Sequence, residues 1–125
     1  MSLERIYSAT ESSWFLLDGD TTILTVKESL DMQEHLVTLT LLGNLRSDTE
    51  PIFQTTLEQF FSVGAHILLD FGGLQGISNA CQLTLIHLQQ KIDQYEKGSL
   101  TLCNVPEPIY KQFKQSHLSE LLKIE

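Results

Sequence analysis

The sequence predicts an α/β domain whose central sheet is mixed but mostly parallel, with four to five strands and about four helices. Segments rich in Val, Leu and Thr alternate along the chain with segments whose apolar residues recur at helical spacing. Glycine or proline stands at most junctions between these segments. After residue 36, two strand–helix–strand units follow one another, which is typical of a parallel core.

The predicted strands are short apolar segments. They lie at residues 14–17 (a candidate short strand), 23–28, 36–42, 66–71 and 100–103. Asp18-Gly19 is a hairpin turn signal between the first two. Residues 66–71, HILLDF, form a continuous apolar run of the kind that is buried on both faces of a parallel sheet. The glycine-rich GGLQG stretch that follows it predicts a turn.

The helices are predicted from apolar periodicity and end signals. Phe53 and Leu57 belong to a first helix that Gly64 terminates. The second helix has an apolar stripe, and its glutamines, including Gln82 and Gln89, are expected to face outward. The stripe consists of Cys81, Leu85, Leu88, Ile92 and Tyr95. Pro106 and Pro108 open a third helix, and a short amphipathic piece ends the chain.

Length and composition predict one domain. The 125 residues are enough for a single core, and we assign residues 23–124 to the domain and residues 1–22 to an N-terminal extension. No apolar run approaches the roughly 20 residues of a membrane span, and the first residues show no signal-peptide pattern. We therefore expect a cytoplasmic protein without membrane contact.

The charge balance excludes some partners. The net charge is −8, with 16 acidic against 8 basic residues, which opposes binding to a nucleic-acid backbone. An acidic surface suits a basic protein partner instead, although many domains are acidic only for solubility.

No catalytic or metal-binding motif is evident. The GGLQG stretch has neither the lysine nor the glycine spacing of a phosphate-binding loop. The four histidines are scattered, and the two cysteines match no metal-ligand or disulfide pattern. We expect neither enzymatic activity nor a cofactor or metal.

The most informative stretch is the corner that opens the second helix, Ser78-Asn79-Ala80-Cys81. A serine directly before a helix commonly caps its free N–H groups. It could also be a phosphoacceptor, because a helix N-terminus favours a phosphate. Both interpretations of Ser78 stay open at this stage.

The order of elements, together with several local motifs, resembles the STAS domain of anti-sigma factor antagonists. In Gly43-Asn44-Leu45-Arg46-Ser47-Asp48-Thr49, the residues Gly43, Leu45 and Thr49 match the family's GxLDxxT-like motif, and Arg46 replaces its Asp. The corner at residue 78 occupies the place of the family's D-S-[ST]-G-x-G motif. Leu118 matches a leucine near the family's C-terminus.

The resemblance implies a non-enzymatic bacterial signalling or transcription-regulation protein. In that family the protein docks on a partner, often a sigma-factor-sequestering serine kinase, and phosphorylation of a corner serine releases the partner. Here Asn79 stands at the phosphoacceptor position, with Ser78 before it and Ala80 after it. An amide cannot accept a phosphoryl group as a hydroxyl does, so we expect the usual switch to be lost.

The expected docking surface joins the segment after the strand at residues 36–42 to the corner. The residues assigned to it are Arg46, Asp48, Thr49, Gly76, Ile77, Cys81 and Gln82. One alternative is a module sensing a small anion or nucleotide, with its anion site at Arg46, Ser78 and Asn79. Arg46 could equally pair with Asp48. Another alternative is a scaffold subunit that assembles with other STAS domains, and a homodimer is also open.

Overall fold

The computed structural model describes residues 3–125, which form six strands and three α-helices. The strands are β1 (Glu4–Ser8), β2 (Ser13–Asp18), β3 (Thr21–Asp31), β4 (Leu36–Leu45), β5 (His66–Ile77) and β6 (Ser99–Cys103). The helices are α1 (Glu50–Ser62), α2 (Asn79–Tyr95) and α3 (Glu107–Gln115). Short 3-10 helices lie at Ser47–Thr49 and Leu118–Glu120.

All six strands form one sheet in sequence order, β1 to β6. The first three pairings, from β1 to β4, are antiparallel. The last two, from β4 to β6, are parallel, because α1 and α2 return the chain to the same end of the sheet. The mixed α/β class is confirmed. The sheet has more strands than predicted and is not mostly parallel. Where about four helices were predicted, there are three α-helices and, in the short C-terminal piece, the 3-10 helix Leu118–Glu120.

The N-terminal strands are part of this sheet. Trp14 and Leu16 of β2 are buried and lie opposite Val26 and Leu24 of β3. The Trp14 indole donates a hydrogen bond to the Glu28 carboxylate. The hydrophobic core therefore includes residues from the segment before residue 23.

One face of the sheet carries the core. In β4, Val37, Leu39 and Leu41 are buried, whereas the residues between them are only half-buried. The same alternation holds along the start of β5, where Leu68 and Asp70 are half-buried. The prediction that this strand is buried on both faces is therefore wrong. The helices contribute Phe53, Leu57, Leu85, Ile109 and Phe113, among others, to the same core.

The glycine-rich stretch is not a turn, because β5 continues through it to Ile77. Gly73 makes this course feasible: a Cβ there would collide with the side chain of Leu42 on the neighbouring strand. Glycine at this position leaves room for the Leu42 side chain on the neighbouring strand, and it does not supply an unusual backbone angle.

The outward face of α2 is narrower than its sequence pattern indicates. Gln82 and Gln89, expected outside, are buried, and Tyr95, expected inside, is exposed. Thr84 and Lys91 of α2 bond to Glu50 and Glu58 of α1. Both α1 and the segment after α3 lie against α2. They therefore bury side chains outside the predicted apolar stripe of this helix.

Within residues 3–125, none of the helices combines the length and the apolar character that a membrane span requires.

Candidate functional site

The candidate site lies where β4 and β5 end side by side. Leu45 pairs with Ile77 at the last position of both strands. The Ser78 backbone N–H donates to the Leu45 carbonyl at 2.7 Å, which fixes the start of α2 against the end of β4. The segment from Arg46 and the segment from Ser78 therefore leave the sheet together, as expected for the carboxyl ends of parallel neighbours.

Ser78 is the N-cap of α2. Its backbone is extended, and its hydroxyl oxygen accepts a hydrogen bond from the Cys81 N–H at 3.2 Å. Its carbonyl accepts the first helical hydrogen bond, from the Gln82 N–H at 3.1 Å. The hydroxyl thereby satisfies one of the N–H groups that a helix leaves free at its start.

Asn79 is the first residue of α2, and it is exposed. It stands at the positive end of the helix macrodipole, where a negative charge is favoured. Ala80, the next residue, is half-buried. Among these three corner residues, Asn79 is the exposed one, so the most accessible side chain at the corner is an amide.

Arg46 forms an ion pair at the same corner. Its guanidinium donates two hydrogen bonds to Asp48, one of them 3.0 Å from Nε to Oδ1. The Asp18 carboxylate lies 3.7 Å away. The hydrogen bonds to Asp48 hold the pKa of Arg46 above its ordinary value, and the same bonds hold the pKa of Asp48 below its own. The carboxylates of Asp48 and Asp18 therefore offset the positive charge of Arg46, which an anion bound at this corner would need.

Several residues assigned to the docking surface are buried instead. Thr49, Ile77, Cys81 and Gln82 are at most 6% exposed. The Thr49 hydroxyl and the Cys81 thiol both donate to the Arg46 carbonyl, at 2.8 and 3.5 Å. These groups hold the two segments together, which leaves Asp48, Arg46 and Gly76 as the assigned residues that reach solvent.

The cysteines are free thiols in different settings. Cys81 is buried, and Cys103 at the end of β6 is half-buried. Burial raises the pKa of the Cys81 thiol, against the opposing effect of hydrogen bonds with Ser78 and Thr49. Burial and the negative charges of Asp70 and Glu125 raise the pKa of Cys103. Neither environment favours a reactive thiolate.

A groove runs beside the start of α2, on the side facing the end of α3. It has a volume of about 320 Å³ and is lined by Asn79, Gln82, Leu83, Ser116 and Leu118. Gln82 is 2% exposed, and its amide nitrogen has no hydrogen-bond partner among the described residues. Nothing in the sequence identifies Ser116 as a residue of this groove. The sequence signal that was available for the groove is the spacing of Asn79 and Gln82, which are three residues apart and therefore lie on one face of the helix.

Other parts of the molecule offer less chemistry. An apolar hollow of about 290 Å³ lies at the opposite end of the sheet, lined mainly by side chains such as Leu30, Leu36, Phe60 and Val63. Within residues 3–125, no three side chains of His, Cys, Asp or Glu come together in a way that could hold a metal ion.

Comparison with known proteins places this geometry in a fold family. No family model matches the sequence, and no curated protein matches it. Similar solved structures do exist. One is a Thermotoga maritima protein described as a candidate anti-sigma factor antagonist, with 15% identity and a TM-score of 0.69; the match covers 79% of this chain and 84% of that one.

Two further structures agree with it. The anti-sigma factor antagonist SpoIIAA in its unphosphorylated form has 17% identity and a TM-score of 0.66, over 80% of this chain and 87% of that one. An antisigma-factor antagonist STAS domain from Rhodobacter sphaeroides has 12% identity and a TM-score of 0.51, over 68% and 94%. The chain therefore has the STAS fold seen in anti-sigma factor antagonists.

Proposed function

We propose that this protein is a non-enzymatic regulator in bacterial signalling that binds a protein partner, in the manner of anti-sigma factor antagonists. The observation that carries the proposal is the corner itself. The exposed Asn79 opens α2 where β4 and β5 end together, in a fold whose similar structures are named as anti-sigma factor antagonists. The expected partner is an anti-sigma factor, a related serine kinase, or another STAS protein.

We further propose that the corner works without a phosphorylation switch. SpoIIAA has been solved in an unphosphorylated and a phosphorylated form. In the present chain, Asn79 has no hydroxyl, and the Ser78 hydroxyl oxygen is occupied as the cap of α2. A phosphate on Ser78 would have to displace that cap. The proposed corner is therefore held permanently in its binding form.

The charges near the corner favour a basic partner surface. Asp18 and Asp20 lie at the turn between β2 and β3, and Asp18 reaches the Arg46–Asp48 pair. Asp18, Asp20 and Asp48 together carry three negative charges against the single positive charge of Arg46, so the surface here is acidic. A partner with Lys or Arg side chains facing this turn would be attracted, because opposite charges steer association. The anion-sensing alternative has less support, since Arg46 is already paired.

The test is affinity capture from a lysate of the native host, with bound proteins identified by mass spectrometry. Wild type should recover an anti-sigma factor, a kinase of that class or another STAS protein. Asn79→Asp, which mimics a phosphate charge at the corner, should lose it. Gln90→Glu is the matched control, because it adds the same charge at an exposed position on the same helix but away from the corner. It should capture as wild type does.

Ser78→Asn separates the two roles of Ser78, because asparagine retains the capability to cap and removes the hydroxyl. This variant should capture the partner as well as wild type does. Recovery of the same proteins by wild type and by Asn79→Asp would contradict docking at the corner. Loss of capture in Ser78→Asn, with α2 intact by circular dichroism, would contradict a corner that works without the hydroxyl.

A further inference from the structure

The apolar hollow at the end of the sheet opposite the corner is surrounded by exposed apolar side chains. It has a volume of about 290 Å³ and lies between the β3–β4 turn and the C-terminal end of α1, where Val37 and Phe60 line it. Leu30, Met32 and Val63 also line it, although they are 56%, 83% and 62% exposed. Exposed apolar side chains that cluster around a concave surface, unlike single ones, are typical of an interaction site.

The two walls of the hollow are fastened to each other through His35, in the β3–β4 turn. Its backbone carbonyl accepts from the His66 N–H at 2.9 Å, and its ring Nε2 lies 2.8 Å from the Val63 carbonyl oxygen. A carbonyl oxygen only accepts, so Nε2 carries the proton and donates it. The hollow therefore exists before anything binds, and an occupant does not have to order its walls.

The charge beside the hollow is negative. Asp31 lines it, and Glu34 is exposed in the same turn. Neither carboxylate forms an ion pair within residues 3–125, and among those residues no Lys or Arg lines the hollow. Lys97, whose side chain lies beside Gly64, donates to the Ser62 carbonyl at 2.6 Å instead. This charge is complementary to an apolar group that is flanked by Lys or Arg.

The extent of the apolar surface indicates a peptide as the occupant. Met32 and Val63 line the hollow yet keep most of their surface in solvent, so the apolar surface continues outside it. A small molecule enclosed by the hollow would leave this outer surface exposed, whereas a chain that crosses the opening would cover it. The carboxylates of Asp31 and Glu34 would repel an anionic membrane surface.

We propose that this hollow docks a peptide segment of a partner protein in which an apolar side chain is followed by Lys or Arg. The apolar side chain enters the hollow, and the cation faces Asp31 and Glu34. The site goes beyond the proposed function, because it lies at the other end of the sheet and does not depend on Asn79. The chain then has two docking surfaces, one at each end of the sheet.

The test uses the full chain and three capped dipeptides with one anchor and three charges: N-acetyl-Phe-Lys-amide, N-acetyl-Phe-Gln-amide and N-acetyl-Phe-Glu-amide. In ¹H–¹⁵N NMR titrations at low salt, they should shift the backbone resonances of Met32, Leu36 and Val63. The lysine peptide should bind about threefold more tightly than the glutamine peptide, as expected for an exposed ion pair, and the glutamate peptide should bind most weakly. The differences should vanish in 1 M NaCl.

Four variants separate the charge from the apolar surface. Asp31→Asn keeps the oxygen that accepts two backbone N–H groups of the turn but removes the charge, so it should lose most of the preference for the lysine peptide. Glu120→Gln removes a charge at an exposed position away from the hollow and should keep that preference. Met32→Ser should weaken the binding of all three peptides. Leu121→Ser, at an exposed leucine that does not line the hollow, should not.

The proposal is overturned if no peptide shifts these resonances, if the three peptides bind equally at low salt, or if Met32→Ser binds as wild type does. Phenethylamine, a small cation with the same ring, is titrated in parallel. If it binds as tightly as the lysine peptide, the hollow takes a small amine and the proposal fails.

The resonances are also followed against protein concentration without peptide. If those of Met32 and Val63 shift, a second copy of the chain covers the hollow and the proposal fails. None of these measurements needs the partner that the corner binds. Peptide binding without partner capture would count against the proposed function alone, and capture without peptide binding would count against the hollow alone.

Discussion

Arg46 shows how the chemistry of one residue depends on its immediate neighbours. Taken alone, a cation beside a helix N-terminus suggests an anion site. In the folded chain its guanidinium is bonded to Asp48 and lies near Asp18, and the pKa of Asp48 is lowered in consequence. Asp48 is two residues away and its pairing was foreseeable. Asp18 belongs to a distant turn, and only the sheet brings it close.

The two thiols give a residue-scale prediction. At pH 8, iodoacetamide should modify Cys103 first and leave Cys81 unmodified until the chain unfolds, because Cys81 is fully buried. Peptide mass spectrometry after timed labelling measures both. Cys103→Ser is the control, and this variant should take up no label in the native state. Equal labelling rates for the two cysteines would contradict the burial of Cys81.

The raised pKa of Cys81 also sets the direction of a pH effect. Above pH 8.5 or so, the thiol of the unfolded chain ionises while the buried thiol stays protonated. The stability that this thiol contributes is therefore fully present below that pH and is lost as the pH rises through the folded pKa. Urea unfolding midpoints between pH 8 and 10 should fall less steeply for Cys81→Ala than for wild type.

At the scale of elements, apolar periodicity located α1 and α2 but misjudged which side chains α2 buries. The rule of one apolar stripe assumes a helix covered along one line. Here Gln82 faces the segment after α3, while Thr84 bonds to Glu50 of α1. Similarly, glycines suggested a turn after residue 71, although Gly73 is there to make room for Leu42. Both features depend on neighbouring elements that local sequence does not describe.

The start of α2 gives an element-scale prediction about stability. Ser78→Ala removes the cap on the Cys81 N–H and should lower the free energy of unfolding by about 1 kcal/mol. Asn79→Asp places a carboxylate at the positive end of the helix and should raise it by about 0.5 kcal/mol. Urea unfolding followed by circular dichroism measures both changes.

The control for the second change is the salt dependence. The gain from Asn79→Asp should shrink in 1 M NaCl, where exposed charges are screened, whereas the loss from Ser78→Ala should persist. A destabilising Asn79→Asp would contradict the placement of Asn79 at an exposed helix start. It would also mean that lost partner capture by that variant reflects unfolding rather than a blocked surface.

At the scale of the whole molecule, the order of elements from β3 onward is enough to indicate the fold. The alternation of strands and helices after residue 36 and the turn signals at Gly64 and Gly98 restrict the chain to few topologies. β1 was missed for a physical reason. Four of its five residues are exposed, so they carry no alternation of apolar and polar types. An edge strand of this kind is defined by its pairing with β2 rather than by its own sequence.

The same reasoning leads to a prediction about the domain boundary. A chain beginning at residue 23 would lack Trp14 and Leu16, which cover Val26 and Leu24 in the core. It would also expose the hydrogen-bonding edge of β3. We expect this truncation to lower the free energy of unfolding by at least about 3 kcal/mol and to promote association between chains.

A chain beginning at residue 9 is the matched control. It lacks β1, whose Arg5 packs over the Trp14 ring at 4.6 Å, and should lose only about 1 kcal/mol. Urea unfolding by circular dichroism and light scattering compare the three chains. If the chain from residue 23 unfolds at the wild-type midpoint and stays monomeric, residues 1–22 are a dispensable extension. If the chain from residue 23 unfolds at a lower urea concentration than wild type and the chain from residue 9 does not, the domain begins at β2. The reason would be that the core supporting the corner needs Trp14.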